Sequence, residues 1–410
     1  MVTYPSDWLA KRVDNFAEIS RGASPRPIES YLTNSPDGVN WIKIGDASTG
    51  SSYITKTAER ITKAGADKSV RVDASDLVLS NSMSFGRPYL LNIDGCIHDG
   101  WLHLYNFQQC ADAKFLVYLL ASPPITDQYK AFAAGSGVQN LNKDVVSGVI
   151  AHLPSLAEQR TIAEVLSGFD EHLANLDELI TKKKAIRDGA VEELVTGRTR
   201  IADYRAPWVT RSARELLSDV ITGGTPSTTI AEYWDGGIPW LSSTEIHQRT
   251  VSRPTRYISE EGLANSSAQI APAGSVLIAL AGQGKTRGTS AYLTRDMALN
   301  QSLAGLVADE TELYRGYLLY AVTRRYEELR GLSSGDGGRG GLNKTLLWDL
   351  RFTLPSSLEE QCAIAEVLSG MDEEIRSLVE ERAKVERLKL GAMDDLLTGR
   401  VRLPLKEEAA

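Results

Sequence analysis

Cysteine is scarce in this chain, with 3 among 410 residues, Cys96, Cys110 and Cys362. An odd number at these spacings builds neither a disulfide framework nor a zinc site nor a redox Cys-x-x-Cys pair. Cys96 lies close in sequence to His98 and His103, but no fourth ligand stands in register, so the trio reads as part of a sheet and no metal site is expected. Long apolar runs are missing too. No stretch of about 18 apolar residues is present to span a bilayer. Residues 1–20 carry charges where a signal peptide would be apolar, so a cytoplasmic protein without membrane contact is expected. Positive charge is also short: 45 Lys and Arg stand against 53 Asp and Glu, a formal net charge of -8. Residues 1–152 hold 14 basic and 15 acidic residues and 205–354 hold 16 and 15, so both are near neutral, while 153–204 (7 against 10) and 355–410 (8 against 13) carry the acid. A free-standing DNA binder shows a basic excess over its binding domain, so tight DNA binding here would need phosphate contacts from a partner.

Catalytic signatures are equally thin. The Pro123-Pro124 pair is flanked by Ser122 and Ile125 and does not make the Asn/Asp-Pro-Pro-aromatic motif of amino-methyltransferases. Gly284-Lys285-Thr286 looks like the end of a phosphate-cradling loop, but Ala279 stands where that pattern requires its first Gly. No cluster of carboxylates with Lys suggests a nuclease. The chain is expected to be non-catalytic, with no cofactor of its own.

What the chain does have is a repeat. Residues 153–201 match 354–403 at 25 of 49 positions once one residue of slack is allowed after Ser155. The densest block is Ile162-Ala163-Glu164-Val165-Leu166-Ser167-Gly168 against Ile364-Ala365-Glu366-Val367-Leu368-Ser369-Gly370, and both copies close on Thr-Gly-Arg, at 196–198 and 398–400. Weaker echoes reach outward: Leu141-Asn142-Lys143 answers Leu342-Asn343-Lys344, Trp8 answers Trp208, and Arg21-Gly22-Ala23-Ser24-Pro25 answers Thr222-Gly223-Gly224-Thr225-Pro226. The period of about 200 residues is far beyond the roughly 20–50 of solenoids. The chain therefore reads as two tandem halves, each a globular domain followed by a long helix.

The repeated segments have coiled-coil periodicity. Ile162, Leu166, Phe169, Leu173, Leu176 and Ile180 step by fours and threes in the first. Ile364, Leu368, Met371, Ile375 and Leu378 do so in the second, before Arg382 interrupts. Acidic residues open each helix (Glu158; Glu359 and Glu360) and Gly closes it (Gly197; Gly399), as dipole and C-terminal geometry favour. A helix over 156–196 would be roughly 60 Å long at ~1.5 Å per residue and needs a partner. The duplicated copy, reached across a whole domain, would pair with it antiparallel and hold the domains at opposite ends. Gly168 and Gly370 recur where Gly costs about 1 kcal/mol relative to Ala, which suggests close helix approach or a kink. The globular regions are mixed: equivalent strands are expected at 41–44 and 240–243 and at 76–80 and 274–278, with helices at 113–121 and 312–332. The second strand of each half runs into a polar Gly-containing loop, 81–87 and 282–288.

The Glu-Gln, Ile-Ala-Glu-x-Leu-Ser-Gly and Thr-Gly-Arg blocks resemble the conserved regions of the specificity subunit of type I restriction-modification systems. The likeness is strong in the helices and at Thr225-Pro226 and Leu342-Asn343-Lys344, and looser elsewhere. Ser24 and Ala23 depart from the Thr and Gly of the second copy. The resemblance implies an α+β fold of two mixed α/β target recognition domains, 1–152 and 202–353, separated by two conserved helices, 153–201 and 354–403, that form an antiparallel coiled coil with pseudo-twofold internal duplication and leave a tail at 404–410. It implies a subunit in which each domain reads one half of a split double-stranded DNA sequence. The helices would set the gap and dock two modification subunits, which bind S-adenosylmethionine, and restriction subunits would complete the complex. A coiled-coil scaffold without DNA readout is the alternative. Major-groove reading uses Asn, Gln, Arg, Lys and hydroxyl side chains. That makes Lys43, Asn81, Ser82 and Arg87 the candidates in the first domain, and Ser242, Ser243, Gln283, Lys285, Thr286 and Arg287 those in the second.

Overall fold

A computed structural model describes residues 3–48, 50–81, 86–136, 140–201, 204–282, 285–332 and 341–404. The chain divides into two compact units, one formed by Met1–Asp177 with Glu380–Ala410 and the other by Glu178–Val379. The division cuts both long helices in their middles. Each unit thus contains a globular domain, the start of the helix that follows it, and the end of the other helix.

The two units have the same sheet topology, strand for strand. In the first, a five-stranded sheet runs in the order Glu18–Arg21, Trp101–Tyr105, Leu77–Ser80, Pro88–Leu91, Tyr53–Ile54, and a four-stranded sheet in the order Glu59–Ile61, Val39–Ile42, Gly95–Ile97, Val70–Val72. In the second, the orders are Leu217–Thr222, Leu303–Ala308, Val276–Ala279, Ser290–Leu293, Thr250–Val251, and Arg256–Ile258, Trp234–Leu241, Met297–Leu299, Ile270–Ala271. A third, two-stranded ribbon joins Leu9–Arg12 to Ile150–Leu153, or Trp208–Ser212 to Arg351–Pro355. The central strands Leu77–Ser80 and Val276–Ala279 are buried along their whole length, which is why they read as continuous apolar runs instead of alternating.

Helix Ala113–Ala121 covers the first large sheet with six consecutive buried residues, Phe115 to Leu120. Its counterpart is Arg315–Thr323. The helix expected over 312–332 is two pieces, Arg315–Thr323 and Tyr326–Gly331, with a break where Arg325 turns its guanidinium back to the Arg351 carbonyl oxygen at 3.0 Å.

The long helices are Leu156–Val195 and Leu358–Leu396, 40 and 39 residues. They pair antiparallel within each unit. In the first, Asp170 meets Lys389 at 2.5 Å and Asp177 meets Arg382 at 2.7 Å; in the second, Lys183 meets Glu374 at 2.5 Å and Arg187 meets Asp372 at 2.6 Å. As one partner's number rises the other's falls. Asp170 and Asp372 also accept from Tyr118 and Tyr320, at 2.6 and 2.8 Å. Burial, followed by that carboxylate hydrogen bond in Tyr118 and the Asp372 charge in Tyr320, pushes both phenols well above their ordinary pKa.

The sequence blocks of the repeat turn out to be joints. Gln159 and Gln361 are fully buried. The amide oxygen of Gln159 accepts from Asp112 N at 2.8 Å, and its nitrogen donates to the Cys110 and Pro154 carbonyls; Gln361 does the same with Tyr314 N, Glu312 and Pro355. Each clamps the start of a long helix to its own domain. Gly197 and Gly399 both stand at φ 72°, the left-handed conformation that ends a helix without penalty only for Gly. A Cβ there would lie 2.8 Å from Trp208 or 2.5 Å from Pro5.

One expectation for the helices needs correction, and four of the seam residues have a second role. Gly168 and Gly370 are exposed and nothing lies within 4 Å of a Cβ built on either, so neither marks a close helix approach, and the helix runs unbroken through both. Ile162 and Leu166 belong to the hydrophobic core of the first domain, together with Phe115, Leu119 and Leu396, and Ile364 and Leu368 to that of the second, with Leu318, Val191 and Leu194. These positions are wedged into a domain core as well as against the opposite helix. Along the rest of the stripe Leu176, Ile180 and Ile375 are buried, and Phe169, Leu173, Met371 and Leu378 half-buried.

Candidate functional site

Each domain carries two polar elements side by side at one end of its buried central strand. The first is the loop singled out from the sequence. It is a hairpin end: Leu77–Ser80 pairs antiparallel with Pro88–Leu91, and Val276–Ala279 with Ser290–Leu293. A phosphate-cradling loop must open into a helix N-terminus, so the strand after 282–288 removes the nucleotide-binding reading. Gly86 (φ 74°) and Gly288 (φ 82°) let the chain turn back into the second strand of each hairpin. The Leu-Asn-Lys motif backs the loop. Leu141 N and Leu342 N donate to the Asn81 and Leu280 carbonyls at 2.9 Å, and the Asn142 and Asn343 side chains accept from Val145 N and Leu346 N at 2.9 Å, capping the next short helix.

The candidate readers sit unequally around this frame. Lys285 is exposed, and its carbonyl is pinned by Thr289 and Tyr326 hydroxyls at 2.8 and 2.9 Å. Thr286 faces His247 at 3.2 Å. Arg287 is half-buried and donates to the Arg330 carbonyl at 3.0 Å, so it anchors the loop on helix Tyr326–Gly331. Arg87 lies over the Tyr89 ring at 5.4 Å. Lys43 pairs with Glu59 at 2.6 Å. Ser242 gives its backbone N–H and hydroxyl to Glu245, at 2.9 and 3.1 Å, at the head of the short turn that contains half-buried Ser243. Asn81 is buried, and its amide donates to the Asp99 carbonyl at 2.9 Å, which ties it to the 98–100 turn. Ser82 and Gln283 lie outside the described residues.

The second element was missed in the sequence. It is the turn 98–100 or 300–302, which carries the chain from the four-stranded to the five-stranded sheet, and it is built bond for bond alike in the two domains. His98 N and Asn300 N donate to the Ile42 and Leu241 carbonyls at 3.0 and 2.9 Å; Gly100 N and Ser302 N donate to the His98 ring and the Asn300 side chain at 2.9 and 3.1 Å. The Gly-x-Ser/Thr-Pro motif is clamped across it. A Cβ on Gly22 or Gly223 would lie 2.1 Å from His98 O or 1.8 Å from Leu299 O, so only Gly allows the approach. At the turn's tip Ser24 donates to Asp99 at 2.6 Å, and Thr225 to Gln301 at 2.5 Å. The Ser24 hydrogen bond, helped by His98 and Arg21, holds the Asp99 carboxyl below the usual range. The repeated Ser/Thr-Pro was visible in the sequence; its partners 75 residues away were not.

The family model for the type I restriction modification DNA specificity domain matches this chain twice, over residues 5–185 and 206–387. The chain belongs to the type I restriction-modification DNA specificity family. Each match takes in one globular domain and most of the long helix after it, so the specificity subunit is a tandem duplication in family terms as well as in topology. The MjaVIII type I restriction enzyme specificity subunit of Methanocaldococcus jannaschii is 22% identical over 425 residues, covering 97% of this chain and 94% of that protein. A structure from a type I R-M system described for complex assembly and conformational transition has a TM-score of 0.65 at 18% identity, over 97% of this chain and 100% of that one. The type I S subunit of M. genitalium gives a TM-score of 0.60 at 16% identity, over 95% and 96%. At these identities the structures show the shared specificity-subunit fold. Among the described residues no helix is long and apolar enough to cross a membrane.

Proposed function

We propose that this specificity subunit reads a split double-stranded DNA sequence, one half with each of its domains at 1–152 and 202–353, and that it does so as the non-catalytic member of a complex in the cytoplasm. The helices at 153–201 and 354–403 set the gap and dock two modification subunits, whose bound S-adenosylmethionine supplies the methyl group; restriction subunits join the same assembly. One observation carries this reading. The two domains share a backbone frame, hydrogen bond for hydrogen bond, yet place different side chains on it, Asp99 against Gln301 and Lys43 against Ser242. A scaffold has no use for a kept frame with changed polar tips, whereas a reader of two different half-sites does.

Lys285, Thr286 and Arg287 in the second domain and Lys43 and Arg87 in the first supply the candidate DNA contacts, with Ser242 and Ser243 beside them. Near-neutral domains make phosphate contacts few, so the chain alone binds DNA weakly and the modification subunits complete the grip. The test is a gel shift with purified chain, with and without modification subunit, followed by methylation mapping. Sequence-selective binding and methylation arise only in the mixture. Binding by the complete mixture without sequence preference overturns the proposal, as does methyl transfer by the chain alone.

A further inference from the structure

In the first domain the tip of the 98–100 turn borders an open cavity of about 810 Å³, lined among others by Ser24, Arg26, Trp41, Lys43, His98 and Asp99. Its polar groups are arranged, not scattered. Asp99 is held from one side by Ser24 at 2.6 Å and His98 at 3.0 Å, both on Oδ1. Its other oxygen has Arg26 at 3.8 Å, an arginine side chain 83% exposed. Asp99 therefore presents one oriented carboxylate oxygen, an acceptor with no donor of its own, to the open side. At the same point of the second domain Thr225 takes the amide oxygen of Gln301 at 2.5 Å. Gln301 is exposed, and this leaves its amide nitrogen, a donor, beside an oxygen with a second lone pair.

The neighbourhoods differ in the same sense. Flanking Trp41 are the Lys43 and Glu59 ion pair, whereas flanking Trp240 are Ser242 and Arg256, the latter stacked 3.6 Å over Trp234. An equivalent turn, an equivalent hydroxyl clamp and a shared Trp thus hold side chains of different hydrogen-bonding character, acceptor alone at Asp99 and donor with acceptor at Gln301. A structural role for 99 and 301 would demand the same chemistry twice. A reading role demands a fixed orientation with a changeable end.

Resting on the reading of the domains as half-site readers, we infer that Asp99 and Gln301 are the equivalent specificity-determining residues of the two domains. Asp99 accepts from the exocyclic amino group of a cytosine in one half-site, and Gln301 holds an adenine through its amino group and ring nitrogen in the other. These are the base edges that an acceptor-only carboxylate and a donor-acceptor amide fit in the major groove. Ser24 and Thr225 are positioning residues that fix the side-chain rotamers.

The experiment uses the whole chain with its modification subunits on duplex DNA randomised in both half-sites, read by binding selection and by methylation. The wild-type complex requires a C·G pair at one position of one half-site and an A·T pair at one position of the other. Asp99→Asn lowers the preference for that C·G pair about ten-fold or more and leaves every other position unchanged, including the whole second half-site. Gln301→Glu does the converse. Ser24→Ala keeps the preferred base and weakens discrimination at that one position. The inference is overturned if the variants keep the wild-type ranking at all positions, if Asp99→Asn changes affinity uniformly across sequences as a contact felt only through phosphates would, or if it abolishes binding together with a lowered melting temperature. A wild-type complex without sequence preference would instead sink the half-site reading itself.

Discussion

The Glu-Gln block at the start of each long helix places a carboxylate where water does not reach, and its partner can be removed. Glu360 has no exposed side-chain surface, and Arg200 holds it with two parallel bonds, Nε to Oε1 at 2.9 Å and Nη2 to Oε2 at 2.5 Å. Arg200→Met keeps most of the stem and deletes the charge. Breaking a buried pair by removing one partner costs about 3–5 kcal/mol, because the other charge stays buried. Two features reduce that here. Arg200 is 27% exposed, and Glu360 sits in the first turn of Leu358–Leu396, where the helix dipole stabilises an anion by about 0.3–1 kcal/mol. The expected loss is therefore about 2–4 kcal/mol. For a unit of this size each kcal/mol lowers Tm by roughly 2–4 °C, so the shift is several degrees. Urea and thermal unfolding of the full chain measure it, with hydrogen exchange along 358–379 and 196–208 to place the loss in the second unit. Adding Glu360→Gln removes the stranded charge and restores about 1–2 kcal/mol. A single variant within about 0.5 kcal/mol of wild type, or a double variant no more stable than the single, refutes the reasoning.

Leu166→Asp and Leu368→Asp, at positions with no exposure, should each unfold the domain whose core they enter rather than only part the helices; circular dichroism and exchange protection of the sheets distinguish the two. The Asp99 carboxyl is held below its ordinary pKa, first by Ser24. The stability lost in Ser24→Ala should thus be constant above about pH 5 and shrink as pH falls below about 4, as urea titrations at several pH values would show; a difference that grows in acid has the wrong sign. Lys285→Ala should weaken DNA binding evenly across sequences and reduce the salt slope by about 1 if its amine meets a phosphate. Four residues inserted in each helix, between 177 and 178 and between 379 and 380, add ~6 Å. The unspecified gap should lengthen by one or two base pairs at ~3.4 Å each, with both half-site sequences kept, and methylation mapping decides it.

The long helices were legible because their signals are local. Apolar spacing, acidic starts and the Thr-Gly-Arg stop concern residues within a turn or two of each other, and duplication doubled each signal. What failed depended on partners far along the chain. Gly in a helix interior costs stability, which favours Gly168 and Gly370 as contact points, yet each faces outward with no neighbour within 4 Å of a Cβ. Asn81 follows a strand, as a loop reader would, but its amide is bonded to the Asp99 carbonyl in the turn between the two sheets, a contact that no local pattern shows. The Glu-Gln block was legible as a motif and opaque as a mechanism, since Gln159 acts through main-chain atoms of Cys110 and Asp112. The helix expected over 312–332 ends at Thr323 and restarts at Tyr326, a break that no local signal at Arg324 and Arg325 marks.

The separation between frame and tip bears on how one subunit comes to read two sequences. In each domain the turn, the hairpin end and the helix start are held by backbone donors, by Gly residues at close approaches and by buried Gln or Asn side chains. Changing the buried Gln or Asn side chains leaves a buried polar group without a partner, at roughly 1–3 kcal/mol, and a side chain in place of Gly22 or Gly223 collides with a backbone oxygen. The side chains at the tips are different: Gln301 and Lys285 are exposed, and exchanges at such positions usually stay within about 0.5 kcal/mol. On the proposed reading, a substitution there changes which base is favoured while the fold hardly registers it. Selection on folding therefore holds the Gly-x-Ser/Thr-Pro, Leu-Asn-Lys and Glu-Gln joints fixed in both copies, and leaves the tips to follow the DNA. On that account the divergence of the two domains beside closely matched helices is what a duplicated reader accumulates, because the joints answer to one shared structure and the tips to two different half-sites.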